Sequence, residues 1–342
     1  MTNGKPLARI LIIQTASLGD VILSTALAET LHEAYPKARI DFLIKKGYES
    51  LFQEHPFIHQ VYTWDKSRRK YLKLWRLLLK VHSNRYDAVI NVQRFASSGF
   101  ITAFSGAPFT AGFRKNPFSR FFKHSAAHVI SARVKGIHET DRNHALIQPL
   151  TDIKTKRPGL YPSTADHQAV NVHQKGAYIT LSPASLWFTK QYPAEKWADF
   201  LDQIPIGLRV FLLGSKADYD LCEQIISQTS HKNIKNLAGL LTFLQSAALM
   251  QHALMNYVND SAPNHLASAV NAPVTAIFCS TVPEFGFGPL SGNAHIVQTT
   301  LALDCRPCGL HGYQACPLGH FACAHSIKTS QLLDTLPPWT DQ

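Results

Sequence analysis

Apolar residues fall in short unbroken blocks separated by longer stretches with helical spacing. Arg9 to Gln14 (RILIIQ) reads as a buried strand and Thr15 to Asp20 (TASLGD) as a loop. A helix follows, with Leu23, Leu27, Leu31 and Ala34 on one side and Pro36 near its end. Ile40 to Ile44 is a second strand, and Gln60 to Tyr62 and Ala88 to Val92 continue the series. Strands of this kind, alternating with helical spans, define βα units and a parallel sheet. Between them, Lys66 to Lys80 is an amphipathic helix. Arg68, Arg69, Lys70, Lys73, Arg76 and Lys80 alternate there with Tyr71, Leu72, Leu74, Trp75 and Leu77 to Leu79. Two readings stay open for it: an ordinary helix packed on the sheet with its charges in water, or a contact with an anionic membrane or acceptor. Arg114, Lys115, Arg120 and Lys123, set among the phenylalanines from Phe109 to Phe122, form a second patch of the same kind.

Thr151 to Gly176 is polar, holds Pro158 and Pro162, and reads as a linker. A second α/β set follows. Tyr178 to Leu181, Leu208 to Leu213, Met255 to Asn259 and Val274 to Phe278 are strands; Glu195 to Leu201, Asp218 to Ser227 and Pro263 to Val270 are helical. Proline suits that last helix start, where its missing N–H has no intrahelical partner anyway. Two α/β domains are therefore expected, 1–170 and 171–342, with a cleft between them.

Composition narrows the class. The chain has 342 residues, 45% of them hydrophobic and 17% charged, which excludes a disordered chain and a small disulfide-stapled module. Lys plus Arg is 34 against 23 for Asp plus Glu, a formal charge of +11 that suits an anionic partner without choosing one. Nucleic acid is the least supported, because the basic patches carry no recognised reading motif. The sequence has no apolar run long enough for a membrane span and no secretory signal at its start, so a cytoplasmic protein is expected.

Candidate chemistry sits just after strands, where open α/β sheets bind ligands. Asp20 follows Gly19 at the first such place, as a ligand-edge carboxylate or as a helix cap. The loop lacks the three-glycine spacing of a dinucleotide fingerprint. Leu181 to Pro193 (LSPASLWFTKQYP) offers Ser182, Ser185, Thr189 and Lys190, whose hydroxyls and ammonium suit phosphate oxygens. Asn259 to Ala269 (NDSAPNHLASA) places Asp260, Ser261 and His265 at a helix start. That position is either an anion site or a capped helix with a packed histidine. Cys305, Cys308, Cys316 and Cys323 have the spacing of a closed tetrahedral zinc or iron site of structural type, with disulfides as the alternative. His311, His320 and His325 are spare donors.

Together these segments resemble the lipopolysaccharide heptosyltransferases of glycosyltransferase family 9. The pieces that carry the resemblance are IIQTASLGDVILSTAL, SPASLWFTKQYP, FLLGSKAD, NLAG and NDSAPNHLASAVNAPVTAIFCSTVPEFGFGP, in that order, from Arg9 to about Cys323. The resemblance implies the GT-B architecture: two Rossmann-like domains facing a central cleft, with acceptor in the N-terminal half, nucleotide sugar in the C-terminal half and a terminal helix. It implies an inverting transferase (EC 2.4 class) that moves heptose from ADP-heptose to a Kdo or heptose of the lipopolysaccharide inner core, with no cofactor for the transfer itself. A relative using a protein hydroxyl, another glycan or another nucleotide sugar is the alternative.

By the same resemblance Asp20 is the catalytic base. Lys190 meets the leaving diphosphate, with Thr189 beside it, and Asp218 binds donor ribose. Asp260, Ser261 and His265 match the donor diphosphate motif, in which the family usually has Gly where this chain has Ala262. Cysteine-rich C-terminal segments occur in some relatives, including protein-modifying heptosyltransferases with bound iron. The implied location is the cytoplasmic face of the inner membrane, held peripherally.

Overall fold

The computed structural model describes residues 6–67, 69–131 and 136–338; Arg68, in the basic segment read above, lies outside the described residues. The chain divides into two compact units: Met1–Ile130 with Ile137–Tyr161, and Ser131–Gly136 with Pro162–Gln342.

In the first unit the strands are β1 (Arg9–Gln14), β2 (Arg39–Lys45), β3 (Ile58–Trp64), β4 (Ala88–Asn91), β5 (Phe109–Phe113) and β6 (His124–Ala126). They pair in the order β3-β2-β1-β4-β5-β6, every pair parallel. The helices are α1 (Leu18–Ala34), α2 (Lys70–Ser83), α3 (Ala96–Ala103) and α4 (Glu139–His144). The second unit holds β7 (Tyr178–Ser182), β8 (Arg209–Leu212), β9 (Ile234–Asn236), β10 (Asn256–Asn259), β11 (Val274–Phe278) and β12 (Ala294–Gln298). Their order, β12-β11-β10-β7-β8-β9, repeats the first topology. Its helices are α5 (Thr164–Val170), α6 (Ala194–Gln203), α7 (Tyr219–Gln228), α8 (Phe243–Gln251), α9 (Ala262–Ala269), α10 (Ala322–His325) and α11 (Thr329–Leu333). The expected parallel α/β architecture is thus present twice.

The boundary differs from the 170/171 expected. Thr164–Val170 is a helix with a Ser163–Asp166 capping box, and it packs on α8, so the break comes earlier, at Tyr161/Pro162. Phe109–Phe113, read as part of an aromatic patch, is a buried inner strand. The helix after β1 was expected to bury one stripe. Instead Val21 through Ala28 are all buried, because α4 and the segment before Tyr161 cover its other side. Ser24 and Thr25 tolerate this by donating to the carbonyls of Val21 and Ile22, each at 2.7 Å, and Thr25 also accepts from the Gly159 amide.

Under the foot of this helix a small aromatic cluster buries a histidine. His32 stacks on Phe57 with centroids 4.1 Å apart, and His55 meets the edges of Phe57 and Tyr161. His55 Nδ1 accepts from the Ile58 amide at 3.3 Å, a bond only the unprotonated nitrogen makes. Burial, helped by the neighbouring His32, pushes the His55 pKa down to about 4. The unfolded histidine titrates near 6.5. Between those values the unfolded chain takes up a proton that the folded chain refuses, so stability is full above pH 6.5 and is lost as pH falls toward 4. Melting curves taken across that window should show this loss. His55→Asn, which keeps an acceptor but does not titrate, should show a shallower pH dependence.

Candidate functional site

Doubly wound sheets leave a crevice where the strand order reverses, at the carboxyl ends of β1 and β4 and of β7 and β10. In the first unit the Gln93 amide on the β4 side donates to Gln14 at the end of β1. Asp20 lies on the first turn of α1, half-buried. Its Oδ2 accepts from Ser17 Oγ at 2.5 Å and from the Ser17 amide at 3.1 Å, while Ser17 caps the Asp20 amide. Asp20 is therefore a capping residue, and those two bonds fix its carboxylate at the sheet edge.

Cations rim the same edge. Lys46, Lys66, Arg94 and Arg114 each follow a strand end within three residues. Lys66 was read as part of the amphipathic helix, but α2 starts only at Lys70. Its ammonium donates instead to the Thr15 carbonyl at 2.9 Å, against the loop that leads into Asp20. Burial and the nearby Lys45 lower its pKa. Its position just past β3 was a sequence signal; the partner across the sheet was not.

In the second unit the loops after β7 and β10 are stitched together. Asn259 donates to the Pro183 carbonyl at 2.6 Å and accepts from the Tyr192 amide at 3.0 Å. That brings Lys190, in a short 3-10 turn, to Asp260: Nζ to Oδ2 is 2.7 Å, with side chains only 15% and 9% exposed. Thr281 Oγ1 donates to the same Asp260 oxygen at 2.6 Å. A buried carboxylate here repels an anion, so the chemistry of Asp260 is to hold and aim the ammonium. Ser261 stands at the start of α9 but makes no side-chain cap; its hydroxyl turns toward the carbonyls of Asn259 and Ala184. The terminus of α9 therefore keeps its polarity for an anion. His265 is buried on the first turn of α9, and Asn264 ties that turn to the Phe287 carbonyl.

Thr189 is buried. Its hydroxyl accepts from Ser280 at 3.0 Å and from the Tyr313 amide at 2.8 Å, and its own amide donates to Tyr313. Ser185 is half-buried in the same loop, whose carbonyl there takes the Gln191 side chain. Asp218 follows β8 and accepts from Ser215 twice at 2.7 Å, a capping box before α7. Gly239 of the NLAG piece closes on this loop: a Cβ there would meet Lys216 at 2.8 Å.

The four cysteines read as metal ligands, Cys305, Cys308, Cys316 and Cys323, lie in the segment after β12. Among the described residues no group of three or more His, Cys, Asp or Glu is placed to hold a metal ion, and all six cysteines are free thiols. Cys323, on α10, is packed into the apolar core beside Phe321, and burial pushes its thiol up to about 11. Cys305, Cys308 and Cys316 lie close enough to raise it further. What anchors the segment is Arg306, which spacing arguments passed over. Its guanidinium donates to the carbonyls of Phe278, Cys279 and Thr281 and to Gln298, at 2.7–3.1 Å. The cysteine segment is thereby a strap beneath Thr189 and Lys190.

The geometry defines a class: two doubly wound units of the GT-B glycosyltransferase type, with an ammonium and a helix terminus at one switch point. The family model for glycosyltransferase family 9 (heptosyltransferase) matches residues 73–312, and the chain belongs to that family. It is a glycosyltransferase. Lipopolysaccharide heptosyltransferase 3 of Escherichia coli strain K12 is 28% identical over 283 residues, covering 77% of this chain and 80% of that protein. Among solved structures, a family 9 glycosyl transferase from Veillonella parvula superposes with a TM-score of 0.80 at 20% identity, over 98% of both chains. The E. coli ADP-heptose lipopolysaccharide heptosyltransferase II gives 0.77 at 22% identity, over 96% of this chain and 97% of that one.

The strap gives a direct test. Gly312 has φ +77°, and a Cβ there would lie 2.8 Å from Thr189 Oγ1 and 3.2 Å from Ser280 Oγ. Gly312→Ala should destabilise the protein by roughly 1–3 kcal/mol, read from denaturant unfolding. A substitution at Gly319, whose Cβ would meet nothing within 4 Å, should cost less.

Proposed function

We propose that the protein is an inverting heptosyltransferase that moves heptose from ADP-heptose to a Kdo or heptose of the lipopolysaccharide inner core, at the cytoplasmic face of the inner membrane. The observation that carries this reading is the Lys190–Asp260 pair beside the uncapped start of α9. An ammonium and a helix terminus together complement a diphosphate. The relatives named for this reaction supply the sugar, and the cationic edge around Asp20 fits an acceptor bearing carboxylates and phosphates.

In this reaction Asp20 takes the proton from the acceptor hydroxyl as its oxygen attacks the anomeric carbon. The bond to the diphosphate breaks on the opposite face, so configuration inverts in one displacement. Negative charge grows on the departing ADP, and Lys190, the α9 terminus, His265 and Ser185 stabilise it. Asp260 keeps Lys190 in place, Ser261 leaves the helix start open, and Thr189 braces the turn from below. Asp218 takes the donor ribose, whose hydroxyls donate to a carboxylate. Lys66 and its neighbouring cations hold the anionic acceptor. No cofactor is required for the transfer.

The reaction is tested by incubating the protein with ADP-heptose and truncated lipopolysaccharide acceptors and weighing the products. A gain of one heptose is expected; transfer only to a peptide hydroxyl, or only from another nucleotide sugar, would replace the acceptor or donor assigned here.

Lys190→Ala should weaken ADP binding by roughly 1.5–3 kcal/mol in calorimetry. It also strips Asp260 of its partner, so adding Asp260→Asn should restore part of the loss by removing the orphaned charge. An unchanged ADP affinity would mean the diphosphate lies elsewhere.

Asp20→Asn keeps an oxygen to accept from Ser17 but takes no proton. Turnover should fall by roughly 10²–10⁴-fold with ADP affinity and melting temperature close to those of the parent. Parental turnover in steady-state kinetics would leave Asp20 as a helix cap alone.

A further inference from the structure

Between Lys66 and Ala126 the sequence holds thirteen Lys and Arg and one acidic residue, Asp87. That net of +12 exceeds the +11 of the whole chain, so the rest is close to neutral. The structure gathers this segment's apolar residues as well. On α2, Leu74, Leu78 and Val81 face the core, which leaves Tyr71, Leu72, Trp75 and Leu79 on the outer face, 53% to 75% exposed. Trp75 reaches Phe100 on α3, with centroids 6.5 Å apart. From Phe100 the rings continue to Phe104 at 5.1 Å and to Phe118 at 6.0 Å, and Phe104 leads on to Phe121 at 6.4 Å. The two basic stretches that are separate in sequence are therefore one surface of the first unit.

Its exposed rings carry their own cations. Arg120 lies 4.9 Å from the Phe121 ring, Lys70 5.1 Å from Tyr71, and Arg94 5.5 Å from Phe95. Arg94 and the turn at Ser119–Phe121 follow the carboxyl ends of β4 and β5, the sheet edge that also holds Asp20. Among the described residues no helix is long and apolar enough to cross a membrane.

We infer that this α2–α3 face, with the turn at 119–121, is a docking surface for an anionic phospholipid bilayer. Rings of this kind enter the level between headgroup and acyl chain, and Lys and Arg beside them meet lipid phosphates. A soluble polyanion uses the charges but leaves half-exposed tryptophan and phenylalanine in water. A second copy of the face would bring +12 against +12. The surface rests on the transferase reading only for its purpose: it turns the Asp20 edge toward the layer that holds a lipid-anchored acceptor.

Full-length protein should co-sediment with vesicles of phosphatidylglycerol and phosphatidylethanolamine, poorly with phosphatidylcholine alone, and less as salt rises. The double variant Trp75→Ser/Phe121→Ser should bind the anionic vesicles at least about tenfold more weakly while melting like the parent. Ile206→Ser/Leu240→Ser, still more exposed apolar positions in the second unit, should bind like the parent. Absence of binding, binding equal on neutral vesicles, or binding indifferent to Trp75 and Phe121 would overturn the inference. So would tighter binding to soluble heparin that survives the double variant, since charge alone would then suffice. Transfer to a delipidated core oligosaccharide separates the two readings. An enzyme that transfers but ignores vesicles loses only this surface; one that binds vesicles through the patch but transfers no heptose loses only its reaction.

Discussion

A parallel strand covered by helices on both faces has no side on which to keep a reactive polar group, so its chemistry is confined to its ends. Both sheets here are built that way, and the consequences run through every site residue. Asp20, Lys66, Lys190, Asp218, Asp260 and Ser261 all lie in the few residues beyond a strand's carboxyl end. Some polar residues that enter a strand are tied down at once. Asp41, buried in β2, accepts from Tyr86 Oη at 2.5 Å and from Arg39 at 3.2 Å. Asn256 in β10 accepts from Thr180 at 2.5 Å and donates to the carbonyls of Met250 and Pro273. These satisfied groups let the sheets stay closed while the loops carry the variation.

The Lys190–Asp260 pair shows what such an edge costs. Removing two ions from water is unfavourable by several kcal/mol each, and their mutual attraction offsets that only with good geometry and further hydrogen bonds. Thr281 supplies one such bond, and the ladder from Arg306 through Thr281 and from Tyr313 through Thr189 fixes both loops. A well-packed apolar pair at the same place would be at least as stable. Its retention fits a site that needs a pointed ammonium more than it needs the stability.

Much of the architecture was legible in the chain, for a physical reason. Inner parallel strands are continuous apolar blocks, so RILIIQ, AVIN and VTAIF announce themselves. The strands that were missed break that rule. FTAGF interrupts its apolar run with Thr and Gly, the latter because Phe122 packs where a Cβ would go, at 2.5 Å. IKN and AHIVQ are edge strands, half in water, with no block to see. In the site, Asp20, Lys190 and Ser261 were visible because each lies in the loop or helix start that follows such a block. The roles of Lys66 and Arg306 were not, because what defines them is a backbone carbonyl 51 or 27 residues away.

The cysteines teach the converse lesson. Their spacing is that of a metal site, and spacing is all a sequence offers. What the structure adds is where each cysteine is held by its neighbours. Cys323 sits on α10 with Phe321, Ala324, Ile327 and Leu332 in the core of the second unit, where burial favours the neutral thiol. Arg306, with its four acceptors, holds the segment from the middle of the motif. Arginine suits that task because its fixed fork reaches several carbonyls at once, and its charge, lowered in pKa by burial, is spread among their dipoles. The cysteine-rich strap thereby supports the turn bearing Lys190 through ordinary hydrogen bonds, which links the last part of the chain to the loop that carries the buried ammonium.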